Sequence, residues 1–508
     1  MKWRAVGWVW AGLILCFSAE AGLAGEKPIW LTVTKPIFLK SLQPLVEHRK
    51  AEGFETLVST QSVEDALRSC PRRPAYLLLI GDDEPNQQNE PWYLPAMNVK
   101  QTRWSASQNP AYASDAAYSD GNRDRFPDFP VGRLPVRTAG QLQTVVRKIL
   151  AYEMRSTRLS DAEVLIWAGQ SLYGEMFDRF SAQLLWQMVC RGMPSWASAF
   201  VVSSNRGALY CPPLDQKEIL RRQLQANPGL ICLVGHGNAQ QFCVGEWMFS
   251  PSKKGVIFCS AEFFLEGRVE KEPLSPMVIL TCLSGFFAGE ELSFAESLVL
   301  SPVGPVACIA ASAESHPLPN LYTGQAMLQT LRHTCRLGDA WLRTLHVAKT
   351  LRNPMMETVL KFVESSMSQA VDIDAIRTDQ ATLYELLGDP ATTLRIPRTL
   401  ACDMQANADG SWNWTVTKPS DAETLFVTFK PIAAAVRQPK DWNDTAVVQQ
   451  AFMQANQRLR FQTLAQLPAN ESWGGKITQP GVLRFVAIGP KQIYAATKTL
   501  TPTSKSPR

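Results

Sequence analysis

From Ile29 the chain repeats one cycle. A short apolar or β-branched run is followed by a stretch with apolar residues three and four apart, and then by a turn. "IWLTVT" (29–34) is the first such run. Phe38, Leu42, Leu45 and Val46 then fall on one helical face, Gly53 stops the helix, and "FETLVST" begins the next strand. Strands that alternate with helices cannot close as hairpins. They must cross over and run parallel, so the sheet is covered by helices on both faces. Tyr76 to Ile80, a continuous apolar run ending in Gly81-Asp82, has the composition of such a doubly buried strand. The cycle continues through helices over 62–69, 139–155, 178–192, 216–226 and 293–300, with a largely helical stretch over 320–353. The intervening strands are "FPVGRLPV", "EVLIWAGQ", "AFVVSS", "GLICLVGHG", "PMVILTCLSG" and "VACIAASA". The chain is therefore α/β with a mostly parallel sheet from 27 to 397. Residues 86–130 form a long polar interruption, and loops of that length are more often functional than idle.

The two ends depart from the cycle. Lys2 and Arg4, the apolar run Val6–Phe17 and the small-x-small triplet Ala19-Glu20-Ala21 form a signal-peptide pattern over 1–21. That run is too short for a membrane anchor, and no later run is long enough to span a bilayer once the signal is removed. After Pro397, "SWNWTVTKP", "TLFVTFKP", "VLRFVAIGP" and "IYAATKTL" alternate or run apolar between turns. They predict an all-β module over 398–500 with the strand spacing of a sandwich, and the tail 501–508 reads as disordered. The formal net charge is +5, with no basic run, which argues against a nucleic-acid partner. Eleven scattered cysteines without a CxxC pair match neither a zinc site nor a dense disulfide framework.

In parallel sheets, reactive groups collect beyond the carboxyl ends of strands. Two strands here end in such groups: "LICLVGHG" in His236 and "PMVILTC" in Cys282. On neighbouring strands, the imidazole would take the thiol proton and the thiolate would attack a carbonyl. The N–H groups of Gly237 and Cys282 would receive the oxyanion. Taken singly, Gly-His-Gly is more often just a tight turn, and a cysteine at a strand end is more often a small core residue. His316, in the loop "AESHPLPN", is placed to line a pocket. Asp120, Asn122, Asp124 and Asp128 offer oxygens in the manner of a calcium loop, but without the EF-hand register or its final bidentate Glu; a plain solvated turn is the favoured reading, with structural calcium as the alternative.

Several stretches together resemble the gingipain family, the C25 cysteine peptidases of the caspase–legumain clan. They are "PLVEHRKAEGFE", "YLLLIGD", "SDAAYSDGNRDRFPDFPVGRLPV", "LVGHGN", "ILTCLSGFF", "SFAESLVLSPVGPVACIAAS", "LGDAWL" and "YELLGDPATTLRIP". The resemblance implies a caspase/gingipain-like three-layer domain followed by an immunoglobulin-like domain. It also implies a His236–Cys282 dyad that needs no cofactor, and a protein or peptide substrate. It assigns Asp115, in "SDAAY", to the pocket that selects a basic P1 side chain. A transpeptidase of the same fold, or a non-catalytic secretion-accessory protein, are the alternatives. The family's long N-terminal pro-segment has no counterpart between the signal pattern and the first strand.

The leader pattern predicts an exported, periplasmic or extracellular protein whose mature chain begins near Gly22 or Gly25. N-terminal sequencing of the extracytoplasmic protein checks this, and a retained Met1 there would overturn it.

Overall fold

A computed structural model of the protein describes residues 26–501, apart from 102–110, 251–252, 269–271, 333–335, 355–356, 359–371 and 433–437, and apart from the side chains of 247–250. The expected signal peptide lies outside the described residues, as does all but the first residue of the expected tail. No helix among the described residues is long and apolar enough to cross a membrane.

The centre of the molecule is a ten-stranded sheet. Its spatial order is Glu55–Ser59, Ile29–Val33, Tyr76–Ile80, Val131–Leu134, Tyr384–Leu387, Cys308–Ala311, Met277–Leu280, Leu230–Val234, Glu163–Ala168 and Ser198–Ser203. The first five strands run parallel to one another, and so do the last five. The halves meet antiparallel, with Ala311 opposite Tyr384 and Cys308 opposite Leu387. The expected mostly parallel sheet is thus two opposed parallel sheets joined at one seam. The carboxyl end of Tyr76–Ile80, with Asp82, consequently points to the edge opposite the one that carries His236 and Cys282.

Both faces are covered, as continuous apolar strands require. In the second half Val164, Ile166, Cys232, Val278 and Ile309 pack on one side. Leu165, Trp167, Ile231, Leu233, Ile279 and Cys308 pack on the other. Local chemistry sets several helix starts. Thr138 and Gln141 form a capping box at Ala139–Met154, and Ser293 and Glu296 form one at Phe294–Leu300. The nine cysteines among the described residues are unpaired.

Arg49, fully buried, ties the seam strand to the first half. It pairs with Asp389, just beyond Tyr384–Leu387, at 2.8 Å and with Glu153 at 2.9 Å. Trp30 Nε1 donates to the other Asp389 oxygen at 3.1 Å.

The C-terminal module contains a five-stranded and a three-stranded sheet. Trp412, Trp414, Val416 and Ile477 from one sheet pack against Leu425, Val427, Leu483 and Phe485 from the other. It is not all-β. The helix Thr445–Leu459 interrupts it and packs back on the edge strand Ser198–Ser203: Phe452 meets Phe200 edge-on, and Asn456 bonds both N–H and C=O of Val201. A second unforeseen element is the hairpin Gln241–Ser250/Lys253–Ser260, which begins four residues after Gly237.

Asp389→Asn is expected to cost about 3–5 kcal/mol, because a buried guanidinium loses a countercharge. The fall in the urea midpoint measures it. Burial alone would raise the Glu153 pKa, but Arg49 outweighs it and holds the group at about 2. A depressed carboxylate contributes stability that is complete above its unfolded pKa, roughly 4.3, and is lost as pH falls toward 2. Glu153→Gln should therefore flatten the stability loss within that acid window.

Candidate active site

His236 and Cys282 sit on neighbouring strands. Leu230–Val234 and Met277–Leu280 pair parallel with Val234 opposite Leu280, and Gly235 N–H donates to Leu280 O at 3.2 Å. Each residue lies two positions beyond its last strand residue. A Cβ on Gly237 would lie 2.9 Å from Thr281 Oγ1, so Gly237 packs directly on the residue before Cys282. This is the close approach for which glycine is needed. Both reactive side chains belong to residues that are only partly buried.

The imidazole is held by a backbone carbonyl. His236 Nε2 lies 2.7 Å from Ser171 O. A carbonyl only accepts, so Nε2 carries the proton and Nδ1 of the neutral ring is the basic nitrogen. Tyr173 packs edge-to-face on the ring, with centroids 5.5 Å apart. The thiol of Cys282 donates to Ser315 O at 3.2 Å, and Ser315 Oγ lies 3.8 Å from the sulfur. Asn320 Nδ2 donates to that hydroxyl, and Asn320 Oδ1 in turn accepts from Tyr384 Oη at 2.8 Å. Leu283, directly after Cys282, is left-handed (φ +59°). Its N–H donates to Ala313 O, and Gly285 N–H to Ala311 O, so the surrounding ladder holds the strained turn. The helix Phe294–Leu300 then fastens both loops: Phe294 N–H donates to Ala239 O and Ala295 N–H to Ser284 O.

The hairpin after Gly237 disposes its backbone. His236 O accepts from Cys243 N–H, and Asn238 N–H donates to Gln241 O, flanking the Gly237–Phe242 bridge. In such a non-hydrogen-bonded antiparallel pair, the N–H of the bridged residue points away from the partner strand.

The other expected site residues are engaged differently. His316 is 3% exposed and caps the helix Pro317–Thr330, its Nδ1 accepting from Leu318 N–H at 3.1 Å. It is built into the helix end behind Ser315 rather than forming an open pocket wall. Asp115 is 1% exposed, and Arg133 donates to both its oxygens, at 2.6 and 2.7 Å. Its own N–H donates to Glu385, whose carboxyl is held well above the usual carboxylate range by burial and by the Asp115 charge. The oxygens of 120–128 serve the turn itself. Asp120 accepts from the amides of Asp124 and Arg125, Asn122 from Asp124, Asp124 from Phe126, and Asp128 from Gly121. These bonds close the turn in the manner of Asx turns. Among the described residues, the group of His, Cys, Asp and Glu ligand atoms that does converge is His48, Glu52 and Glu153, and Arg49 lies on both of its carboxylates.

Sequence reasoning missed Ser171 and Ser315. Both act through backbone carbonyls, which leave no side-chain signature.

No curated protein matches the chain in sequence. Among solved structures, it is similar to the Arg-specific cysteine proteinase gingipain R (RgpB), with TM-score 0.51, 14% identity, and coverage of 93% of this chain and 97% of that one. A structure described only as a protease gives TM-score 0.53 at 14% identity, with the same coverage. The complex of the pro- and mature domains of RgpB from Porphyromonas gingivalis gives 0.50 at 13% identity, covering 93% of this chain and 100% of that one. These likenesses carry the fold. The model of peptidase family C25 matches residues 24–395, nearly the whole α/β part, and the chain therefore belongs to peptidase family C25.

Proposed function

We propose that the protein is a cysteine endopeptidase with a His236–Cys282 dyad. The observation that carries this reading is the pairing of the two strands that end in these residues, with the Nε2–H of His236 committed to Ser171 O. That commitment leaves Nδ1 as the nitrogen that takes the thiol proton. The thiolate adds to the scissile carbonyl carbon. The Gly237 N–H, directed away from the hairpin, and the Cys282 N–H receive the oxyanion. The imidazolium returns its proton to the leaving amine as the C–N bond breaks, giving a thioester on Cys282. A water molecule deprotonated by His236 then adds to the thioester and releases the acid. Substrates are proteins or peptides, and the leader pattern supports an exported enzyme.

Selection of a basic P1 residue by Asp115 does not enter the proposal. Arg133 already occupies both carboxylate oxygens, and its guanidinium also donates to Gly81 O and Leu94 O at 2.8 Å. A substrate cation would have to displace a buried bidentate pair.

Cys282→Ala and His236→Ala should each lower cleavage of a peptide library by at least about 10³-fold, with losses that are not additive, because both belong to one proton-transfer unit. A folded Cys282→Ala that cleaves at the wild-type rate sinks the reading. Asp115→Asn should cost about 3–5 kcal/mol of stability while leaving the P1 profile unchanged. Denaturant titration and cleavage mapping on the same preparation test this. Selective loss of basic P1 cleavage at unchanged stability would restore the selector role.

A further inference from the structure

The loop that holds His236 is itself fixed by a buried carboxylate. Asp178 lies in the first turn of the helix Glu175–Gly192 and is 6% exposed. Its Oδ1 accepts from Ser171 Oγ at 2.6 Å, and its Oδ2 from Gln170 Nε2 at 2.8 Å. The same Gln170 amide accepts Glu246 N–H at 2.8 Å, so its orientation is fixed and the first strand of the hairpin is tied to the loop. From the other side Asn205 closes the clamp. Its Oδ1 accepts Ser171 N–H at 2.8 Å, and its Nδ2 donates to Gly169 O at 2.9 Å.

Two features separate this network from ordinary loop packing. The first is charge. Among the described residues no lysine or arginine pairs with Asp178, so its burial is offset by hydrogen bonds from this loop rather than by an ion pair. The second is strain. Leu172, the next residue after Ser171, is left-handed (φ +60°). Among the described residues only two apolar side chains other than glycine adopt that conformation. The other is Leu283, beside Cys282. Left-handed backbone at a branched residue persists only where its surroundings over-determine it, and such residues gather at functional sites.

We propose that Asp178 is a positioning residue for the dyad. Acting through Ser171 and Gln170, it sets the direction of the Ser171 carbonyl and thereby holds His236 in the Nε2–H tautomer, with Nδ1 toward the thiol. This deepens the peptidase reading and rests on it for the identity of the reaction, but the tautomer can be read without any substrate.

The test uses the full mature chain and the variants Asp178→Ala, Asp178→Asn and Ser171→Ala. Nitrogen-15 spectra of His236 at neutral pH should show the Nε2–H tautomer in the wild type and a mixture in Asp178→Ala. With a cleaved peptide, kcat should fall about 100-fold in Asp178→Ala, the scale of a misplacement near 1 Å, with KM nearly unchanged. The pH profile of Cys282 alkylation should shift in step. Asp178→Asn keeps an acceptor for Ser171 Oγ but loses the one for Gln170 Nε2, so it should fall between the two. If Asp178→Ala does not fold, Ser171→Ala decides, since it removes the link and leaves the carboxylate bonded to Gln170; it should show the same tautomer mixing to a smaller degree. A folded Asp178→Ala, or failing that Ser171→Ala, with the wild-type tautomer and wild-type alkylation profile overturns the proposal. A wild type with the Nε2–H tautomer but no peptidase activity would remove the reaction and leave the positioning intact.

Discussion

The strand Tyr384–Leu387 is the constraint on which the rest of the molecule depends. It carries a parallel sheet on each edge, and the two run in opposite directions. A four-residue strand forms few ladder bonds, so its place is set by side chains at both ends. Beyond its carboxyl end Asp389 is locked to Arg49 and Trp30, more than three hundred residues earlier in the chain. Within it, Glu385 accepts the amide of Asp115, which is itself paired with Arg133 on the adjacent strand. At its start Tyr384 reaches through Asn320 to the Ser315 hydroxyl beside Cys282. The buried charges are thus assembly devices. Removing one partner is costly because the other stays desolvated.

His236 and Cys282 take their placement from this seam and from two strained turns. Leu283 redirects the chain immediately after Cys282, and Leu172 redirects it immediately after the carbonyl that holds His236. Both turns are tied down by backbone bonds, Leu283 N–H to Ala313 O just past the strand Cys308–Ala311, and Gln170 N–H to Val244 O in the hairpin. The imidazole and the thiol are therefore set just past rigid strand ends rather than on free loops, the placement that the proposed chemistry needs. Around them the surface turns apolar. Leu172 and Tyr173 on the loop that flanks the imidazole, and Met176 in the first turn of the helix that follows, are all substantially exposed.

Much of this was legible before any coordinates. The alternation of apolar runs with helical periodicity defined the strands of both halves, because strands covered on both faces must be apolar throughout. His236 and Cys282 stood out because each follows such a run directly. The seam strand was not legible as such, since four residues of "YELL" carry too little periodicity to distinguish strand from helix end. The hairpin after Gly237 and the helix Thr445–Leu459 also escaped, the latter because it lies inside a module whose other segments read as strands.

Composition and pattern thus determined the α/β class, the β-rich module after Pro397 and the two residues most able to do chemistry. These follow from local physics, the burial of apolar runs and the reactivity of imidazole and thiol. Only tertiary structure decided which carboxylates are free to act. Asp115, read as a selector, accepts from Arg133 on both oxygens, and the carboxylates of the turn at 120–128 accept its own amides. Asp178, which no motif singles out, accepts from Ser171 and Gln170 on the loop whose carbonyl meets His236. A side chain's charge is written in the sequence, but the partner that neutralises or employs it is set by contacts between residues far apart in the chain.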